Sequence, residues 1–422
     1  MKNDIALRVG IRSEIGALGS VIIHSPGEEH SMMLPHHTHE WVGSKNPQKN
    51  PDYLLFDDII YTDKAQKQHG CLRGVLDKFT QGNCYEVTEM LRSIMVDANI
   101  RESIIHDSID LEKRLFNRKI DSKSLLDLPP DSLLKTLLSG SIHENDRATK
   151  IFSHPLPNLI FTRDIAAVIG KTVLITRSNK DVRRRENVLT EHLFSYHNLL
   201  KGNTIYNFSR QNPDSSIEGG DITIYDTNTI CIGISERTSR ESIELTLPTI
   251  FNEGFRHVIA INMPKDRSVM HLDTIFTRIG ESDALVYAPI ISKPSYTQKK
   301  YLFNSDGSMT ESTAPLQDIL SDISGRINMI ECGGNDPTNQ QREQWTDGAN
   351  AFALSPTLSV GYDINTYTLK QIAESGYNVI THSEYLDSSF KDKGRSFITI
   401  PGSELSRGRG GARCLTLPIM RQ

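Results

Sequence analysis

Hydrophobic positions along this chain follow two patterns. In the first, short apolar runs stand between turn-forming residues, as buried strands do. Ser20-Val21-Ile22-Ile23-His24 stops at Ser25-Pro26-Gly27. Thr172-Val173-Leu174-Ile175, Ile230-Cys231-Ile232, His257-Val258-Ile259-Ala260-Ile261 and Phe397-Ile398-Thr399-Ile400 follow the same plan. Leu54-Leu55-Phe56-Asp57-Asp58-Ile59-Ile60-Tyr61 reads as another strand region, interrupted by two carboxylates, and strand signals resume over 159–175. In the second pattern apolar residues recur at helical spacing. Asp63 is placed to cap a helix over 64–79, with Ala65, Leu72, Val75, Leu76 and Phe79 on one stripe. A helix over 239–254 contains Pro248, which kinks it. Strand, helix and strand in succession predict an α/β fold.

Residues 86–150 change character. Glycines become scarce, and a stripe through Leu133, Leu134, Leu137 and Leu138 closes at Gly140. This predicts an inserted all-helical subdomain of about four or five helices. The chain then divides into 1–85, the first part of the α/β body, 86–150, the insertion, and 151–422, the remainder. Residues 33–53 are rich in His, Pro and Asn without periodicity and read as a long loop.

Composition narrows the function classes. The chain has 422 residues, 37% hydrophobic and 23% charged, with a formal net charge of -5. That balance is ordinary for a soluble protein and does not point to a nucleic-acid partner. No apolar run approaches membrane-spanning length, and Met1-Lys2-Asn3-Asp4 lacks the apolar core of a signal peptide. The five cysteines are scattered, without CxxC or His/Cys clustering, so no metal is expected. A reducing, cytoplasmic compartment fits them.

The chemistry gathers at polar residues beside the strand signals. In Ser406-Arg407-Gly408-Arg409-Gly410-Gly411-Ala412-Arg413-Cys414 one cysteine stands among arginines and glycines, ahead of a short apolar stretch that reads as a buried strand. Nearby cations lower a thiol's pKa, and the thiolate is the nucleophile; the alternative is a structural Cys beside a basic turn. Asn158-Leu159-Ile160-Phe161-Thr162-Arg163-Asp164 joins an apolar strand to polar residues, with a surface ion pair as the plainer reading. Glu218-Gly219-Gly220-Asp221 sets carboxylates around glycines, which also suits a hairpin turn. His271 and Asp273 share a face if they lie on a strand and could form an acid/base pair. Arg183-Arg184-Arg185 and the Arg237 region are basic clusters near expected helix starts. A thiol, an imidazole and several carboxylates together suit a planar cationic substrate such as a guanidinium, with arginines for a carboxylate at its far end.

Seven segments in this order resemble the arginine deiminase family of guanidine-modifying enzymes: VGIRSEIG at 9–16, LLFDD at 54–58, NLIFTRD at 158–164, EGGD at 218–221, HLDT at 271–274, REQWTDGAN at 342–350 and SRGRGGARC at 406–414. The resemblance implies a five-bladed α/β propeller of ββαβ-like units with a helical insertion. It implies hydrolysis of L-arginine to L-citrulline and ammonia through a covalent thiouronium, the first step of arginine catabolism, without a cofactor. Cys414 resembles the nucleophile, His271 the general acid/base, Glu218 and Asp273 catalytic carboxylates, and Asp164 the guanidinium-binding carboxylate. Arg183, Arg237 and Arg409 resemble the arginines that recognise the substrate carboxylate. Asn158, Phe161, Gly408 and Leu54 or Leu55 line the pocket by the same correspondence. A homo-oligomer, dimer or tetramer, is also implied. Two departures stand out: the loop 35–52 is longer than the family's, and Ala412 stands where the family often has Pro or Gly. A dimethylarginine hydrolase, an amidinotransferase and a silent binding protein on the same fold are the competing readings.

Overall fold

One structural module recurs through the computed structural model, which describes residues 7–144, 147–292, 298–391 and 394–422. Met1–Asp4, read above for a leader, lie outside them. Two strands pair antiparallel, a helix follows, and a third strand joins parallel. Ala166–Ile169 pairs antiparallel with Thr172–Ile175, which pairs parallel with Thr204–Asn207 across the helix Arg184–Tyr196. Ile222–Ile224, Thr229–Ile234 and His257–Asn262 repeat this around the helix Arg240–Asn252, and Lys300–Asn304 and Met309–Ser312 extend that sheet. Phe276–Arg278, Asp283–Val286 and Asn328–Glu331 form the next module around Leu316–Ser324. Phe352–Ser355, Leu358–Tyr362, Ser396–Ile400 and Asn378–Thr381 form another, with Thr366–Glu374 as a covering helix. The last module closes the chain on itself: Leu417–Arg421 pairs antiparallel with Leu18–Ile23, which pairs parallel with Cys84–Glu86 beyond the helix Thr62–Phe79. The fold is therefore α/β, built on sheets of three to five strands.

The apolar runs become strands because they are buried on both faces, so they need no alternation. Thr172–Ile175 is buried at every position and coincides with its sequence signal. Pro248 is accommodated inside the helix Arg240–Asn252.

The stretch 86–150 contains the helices Val87–Ile94, Ala98–Phe116, Lys123–Leu126 and Pro130–Ser139. It is not all helical. Gly140 turns left-handed at φ 77°, ending the last helix, and Ser141–Glu144 pairs with Arg147–Lys150 as a hairpin. Leu91, Ile104, Leu134 and Leu137 share one hydrophobic cluster with Leu189 and Leu193 of the helix Arg184–Tyr196. Each such buried side chain contributes about 1.5–3 kcal/mol.

Three stretches expected as strands differ from the structure. Leu54–Tyr61 is irregular; Leu55 sits at φ 67°, outside any ladder conformation, and the Leu54 carbonyl accepts from the Asn158 side chain at 2.8 Å. Residues 157–165 form two short helical turns, Pro157–Ile160 and Thr162–Ile165, with Pro157 at the first helical position where its missing N–H costs nothing. His271 precedes the turn Leu272–Thr274 rather than lying on a strand. The helix expected over 64–79 begins at Thr62, before Asp63. The loop over 33–53 carries the turn Pro35–Thr38 and a small hairpin, Trp41–Val42 with Gln48–Lys49.

Candidate active site

The modules place one polar cluster each at the same point, just ahead of the first strand. Asp164 precedes Ala166–Ile169, Glu218 precedes Ile222–Ile224, and His271 and Asp273 precede Phe276–Arg278. Asn350 precedes Phe352–Ser355, and Cys414 precedes Leu417–Arg421. Residues from five distant segments thus come together, each held by a buried strand directly behind it.

The His271 Nε2 atom lies 2.8 Å from Glu218 Oε2, and Nδ1 lies 3.7 Å from Asp164 Oδ1. Burial alone would lower the imidazole's pKa, but the charge of Asp164 and the bond to Glu218 outweigh it and raise it to about 9. Glu218 is held well below the usual carboxylate range: burial opposes ionisation, but the bond from His271 and the charge of Arg237 prevail. His271 is therefore an imidazolium at neutral pH. The EGGD glycines permit this approach, since a Cβ on Gly220 would stand 2.7 Å from the His271 ring and 2.9 Å from Asp164.

Asp273, expected beside His271, turns the other way. A short helical turn points positions i and i+2 apart, and Asp273 Oδ2 accepts from Arg413 Nη1 at 2.9 Å and from the Cys414 thiol at 3.5 Å. Asn350 was missed in reading the residues one by one. Its amide donates to Cys414 Sγ at 3.1 Å and to the Asp273 carbonyl at 3.0 Å, and its oxygen accepts from the Arg413 and Cys414 backbone N–H groups. Its signal lay in the REQWTDGAN segment and in its repeat position ahead of a strand.

The thiol's state also differs from expectation. Burial and the charges of Asp273, Asp164 and Asp347 push the Cys414 thiol well above its ordinary value. Arg413 opposes this but is spent on Glu14, at 2.8 Å, and on Asp273. A cation entering beside these carboxylates reverses that balance.

The expected arginines reach the same pocket with different commitments. Arg183 donates to Asp164 Oδ2 at 2.7 Å, to Glu186 at 2.9 Å and to the Asn158 carbonyl at 3.1 Å. Arg237 stands 3.8 Å from Glu218, and its Nε lies 3.5 Å from Glu236 without making a hydrogen bond. Arg409, left-handed at φ 65°, lies over the Trp345 ring at 3.7 Å and donates to the Ser268 carbonyl at 3.2 Å; its Nε and Nη1 have no hydrogen-bond partner. Phe161 packs on Phe56 at 5.9 Å, and Gly408 fits against both rings. Leu55, Asn158, Phe161 and Gly408 line the pocket with Arg267, Met270 and Thr274, around a free volume of about 10 Å³, close to one water molecule.

Asp164, Glu218 and His271 bring ligand-type atoms within 4.8 Å of one another. Arg183, at 2.7 Å from Asp164 and 3.8 Å from Glu218, already supplies positive charge there, which disfavours a metal ion.

The sequence profile of the arginine deiminase family matches residues 52–421. The chain is 31% identical over 434 residues to an arginine deiminase of Mycoplasma capricolum subsp. capricolum, covering 98% of each chain. It is 33% identical over 438 residues to one of Borrelia garinii subsp. bavariensis, again covering 98% of each. Among solved structures, a DDAH from Pseudomonas aeruginosa in complex with citrulline matches 95% of this chain and 99% of its own, at 14% identity and a TM-score of 0.51, a likeness of fold. With end-to-end identity above 30% and a family profile spanning most of its length, the chain belongs to the arginine deiminase family.

Proposed function

We propose that this protein hydrolyses L-arginine to L-citrulline and ammonia. The observation that carries the reading is the meeting of Cys414, His271, Glu218, Asp164 and Asp273 at one buried pocket, in a chain of this family. Asp164 and Glu218 hold the substrate guanidinium. Arg183 occupies that carboxylate pair in the closed pocket, so the incoming guanidinium replaces one cation by another as Arg183 swings out. Freed, Arg183 joins Arg237 and Arg409 at the substrate carboxylate, which supplies hydrogen bonds that Glu236, at 3.5 Å from Arg237, and Asp57, at 3.8 Å from Arg409, do not make.

The substrate cation lowers the Cys414 pKa, the thiol gives up its proton to solvent as the substrate enters, and the thiolate attacks the guanidinium carbon. The imidazolium of His271 gives its proton to the departing nitrogen, which leaves as ammonia, and an S-alkylthiouronium stays on Cys414. His271, now neutral, takes one proton from water as the water attacks that carbon; the C–S bond breaks, the second proton of that water passes to the departing sulfur to restore the thiol, and citrulline leaves. Asp273 accepts the hydrogen bond of the resting thiol, and Asn350 donates to the sulfur when it is a thiolate. No cofactor enters this scheme.

The modular repetition of sheets supports the five-bladed propeller reading, with 86–150 as an insertion between the parts 1–85 and 151–422. Scattered free cysteines support a reducing, cytoplasmic compartment. A homo-oligomer completes the reading and is checked by light scattering.

The test is release of citrulline and ammonia from L-arginine by the purified protein, with dimethylarginine and an amidine acceptor in parallel. Turnover of dimethylarginine or amidino transfer in place of arginine hydrolysis reassigns the chain to a neighbouring activity; no turnover of any of them leaves a binding protein.

A further inference from the structure

Away from the catalytic pocket a second cleft opens between the helices Ala98–Phe116 and Arg184–Tyr196 and the turn that runs from Phe208 to Asp214. It encloses about 600 Å³, within the range of about 300–1,000 Å³ typical of small-molecule sites. Four arginines line it. Arg210 is already used, at 2.6 Å from Glu191 and 3.2 Å from Asp107. Arg184 is not. It is only 9% exposed, its Nε and Nη1 have no hydrogen-bond partner, and its nearest carboxylate, Asp181, lies 3.9 Å away. Arg177 donates through Nη2 to the Pro213 carbonyl, while its buried Nε makes no hydrogen bond. Burial and the charge of Arg114 lower its pKa against the opposing charges of Asp181 and Asp214.

A buried guanidinium with free N–H groups is costly unless an anion meets it. Guanidiniums grip phosphate bidentately, and a phosphate brings three acceptor oxygens and nearly two charges, more than a carboxylate offers. On the same wall Asp110 and Asp214 form no ion pair among the described residues and can accept from hydroxyl or amino groups.

We propose that this cleft binds a small phosphorylated ligand, its phosphate held by Arg184, Arg177 and Arg114 and the donors of its body by Asp110 and Asp214. The site shares no lining residue with the catalytic pocket, although Arg184 directly follows Arg183.

The test is calorimetric titration of the full chain with inorganic phosphate, ribose 5-phosphate, AMP and adenosine. At least one phosphate compound binds saturably at one site per chain, and adenosine does not. Arg184→Ala and Arg114→Glu each weaken that binding at least about tenfold, the low end for a charge-assisted contact. Arg114 is exposed, so its variant keeps the fold if Arg184→Ala does not. Arg237→Ala, in the catalytic pocket, leaves binding unchanged. Absence of binding by every phosphate compound overturns the proposal. So does binding indifferent to both cleft variants, or binding lost in Arg237→Ala, which would put the phosphate in the catalytic pocket.

Discussion

Two buried histidines in this molecule have nearly the same surroundings and different consequences. His271 lies between Glu218, at 2.8 Å, and Asp164, at 3.7 Å. His24 lies between Glu29 and Glu86, each at 3.2 Å. In both, burial pulls the imidazole's pKa down and the carboxylates more than restore it, to about 9 for His271 and about 10 for His24. Around His24 the acids are saturated by fixed local donors. Glu29 accepts from the Gly27 N–H at 2.7 Å, and Glu86 accepts from the Ser25 hydroxyl at 2.8 Å. Around His271 the neighbours are a thiol, Arg237 and Arg409 with unpartnered N–H groups, and a pocket. A charged, buried histidine is thus no mark of catalysis by itself. His24 also lines a cleft, of about 340 Å³, so an opening does not separate the two; the thiol and the arginines gathered beside His271 do.

The sharpest break of this comparison is at the sulfur. Cys414→Ser keeps the fold and yields no detectable citrulline, and mass spectrometry of quenched wild type shows a substrate-derived adduct on the Cys414 peptide; full activity in Cys414→Ser would sink the covalent route. Exchanging the histidines comes next. His271→Ala lowers kcat by about 10²–10⁴-fold, the usual loss of general acid/base catalysis. His24→Ala leaves two buried carboxylates without their cation and costs about 3–5 kcal/mol in urea unfolding, with kcat little changed. Equal kinetic damage from both variants would erase the distinction drawn here.

Titration separates the two sites from background. A histidine whose folded pKa is raised stabilises the fold fully below its unfolded value of 6.5, and that contribution is lost as pH rises through about 10 for His24. Unfolding free energy therefore falls between these pH values, and His24→Gln flattens the fall. An identical slope in the variant would mean that His24 does not carry the proton.

Smaller effects sharpen the open side of the comparison. Arg409→Ala weakens arginine binding by about 1.5–3 kcal/mol, the range for a hydrogen bond to a charged group, and narrows the preference for arginine over agmatine, which lacks the carboxylate. Equal wild-type kcat/KM on the two compounds would remove carboxylate recognition from the account. Asn350→Ala costs about 0.5–1.5 kcal/mol in kcat/KM, one neutral hydrogen bond to the sulfur; no loss at all would make Asn350 a purely structural residue.

By itself the sequence determined the local elements and the reactive inventory. Val173, Leu174 and Ile175 form a strand because an apolar run of that length with β-branched residues suits a fully buried sheet position. Cys414, His271, Glu218 and Asp164 were legible because their segments occur together, in order, in one family. What the tertiary structure decided concerns partners and charge. His271 pairs with Glu218, 53 positions away, rather than with Asp273 two positions on. Asp273 serves Arg413 and the thiol, and Arg183 covers Asp164. The thiol is raised rather than lowered, because burial and the charges of Asp273, Asp164 and Asp347 outweigh the arginine next to it in sequence. Period and propensity act over a few residues, whereas desolvation and Coulomb terms depend on which distant segments the sheets bring within a few ångströms. That convergence is a property of the folded chain alone.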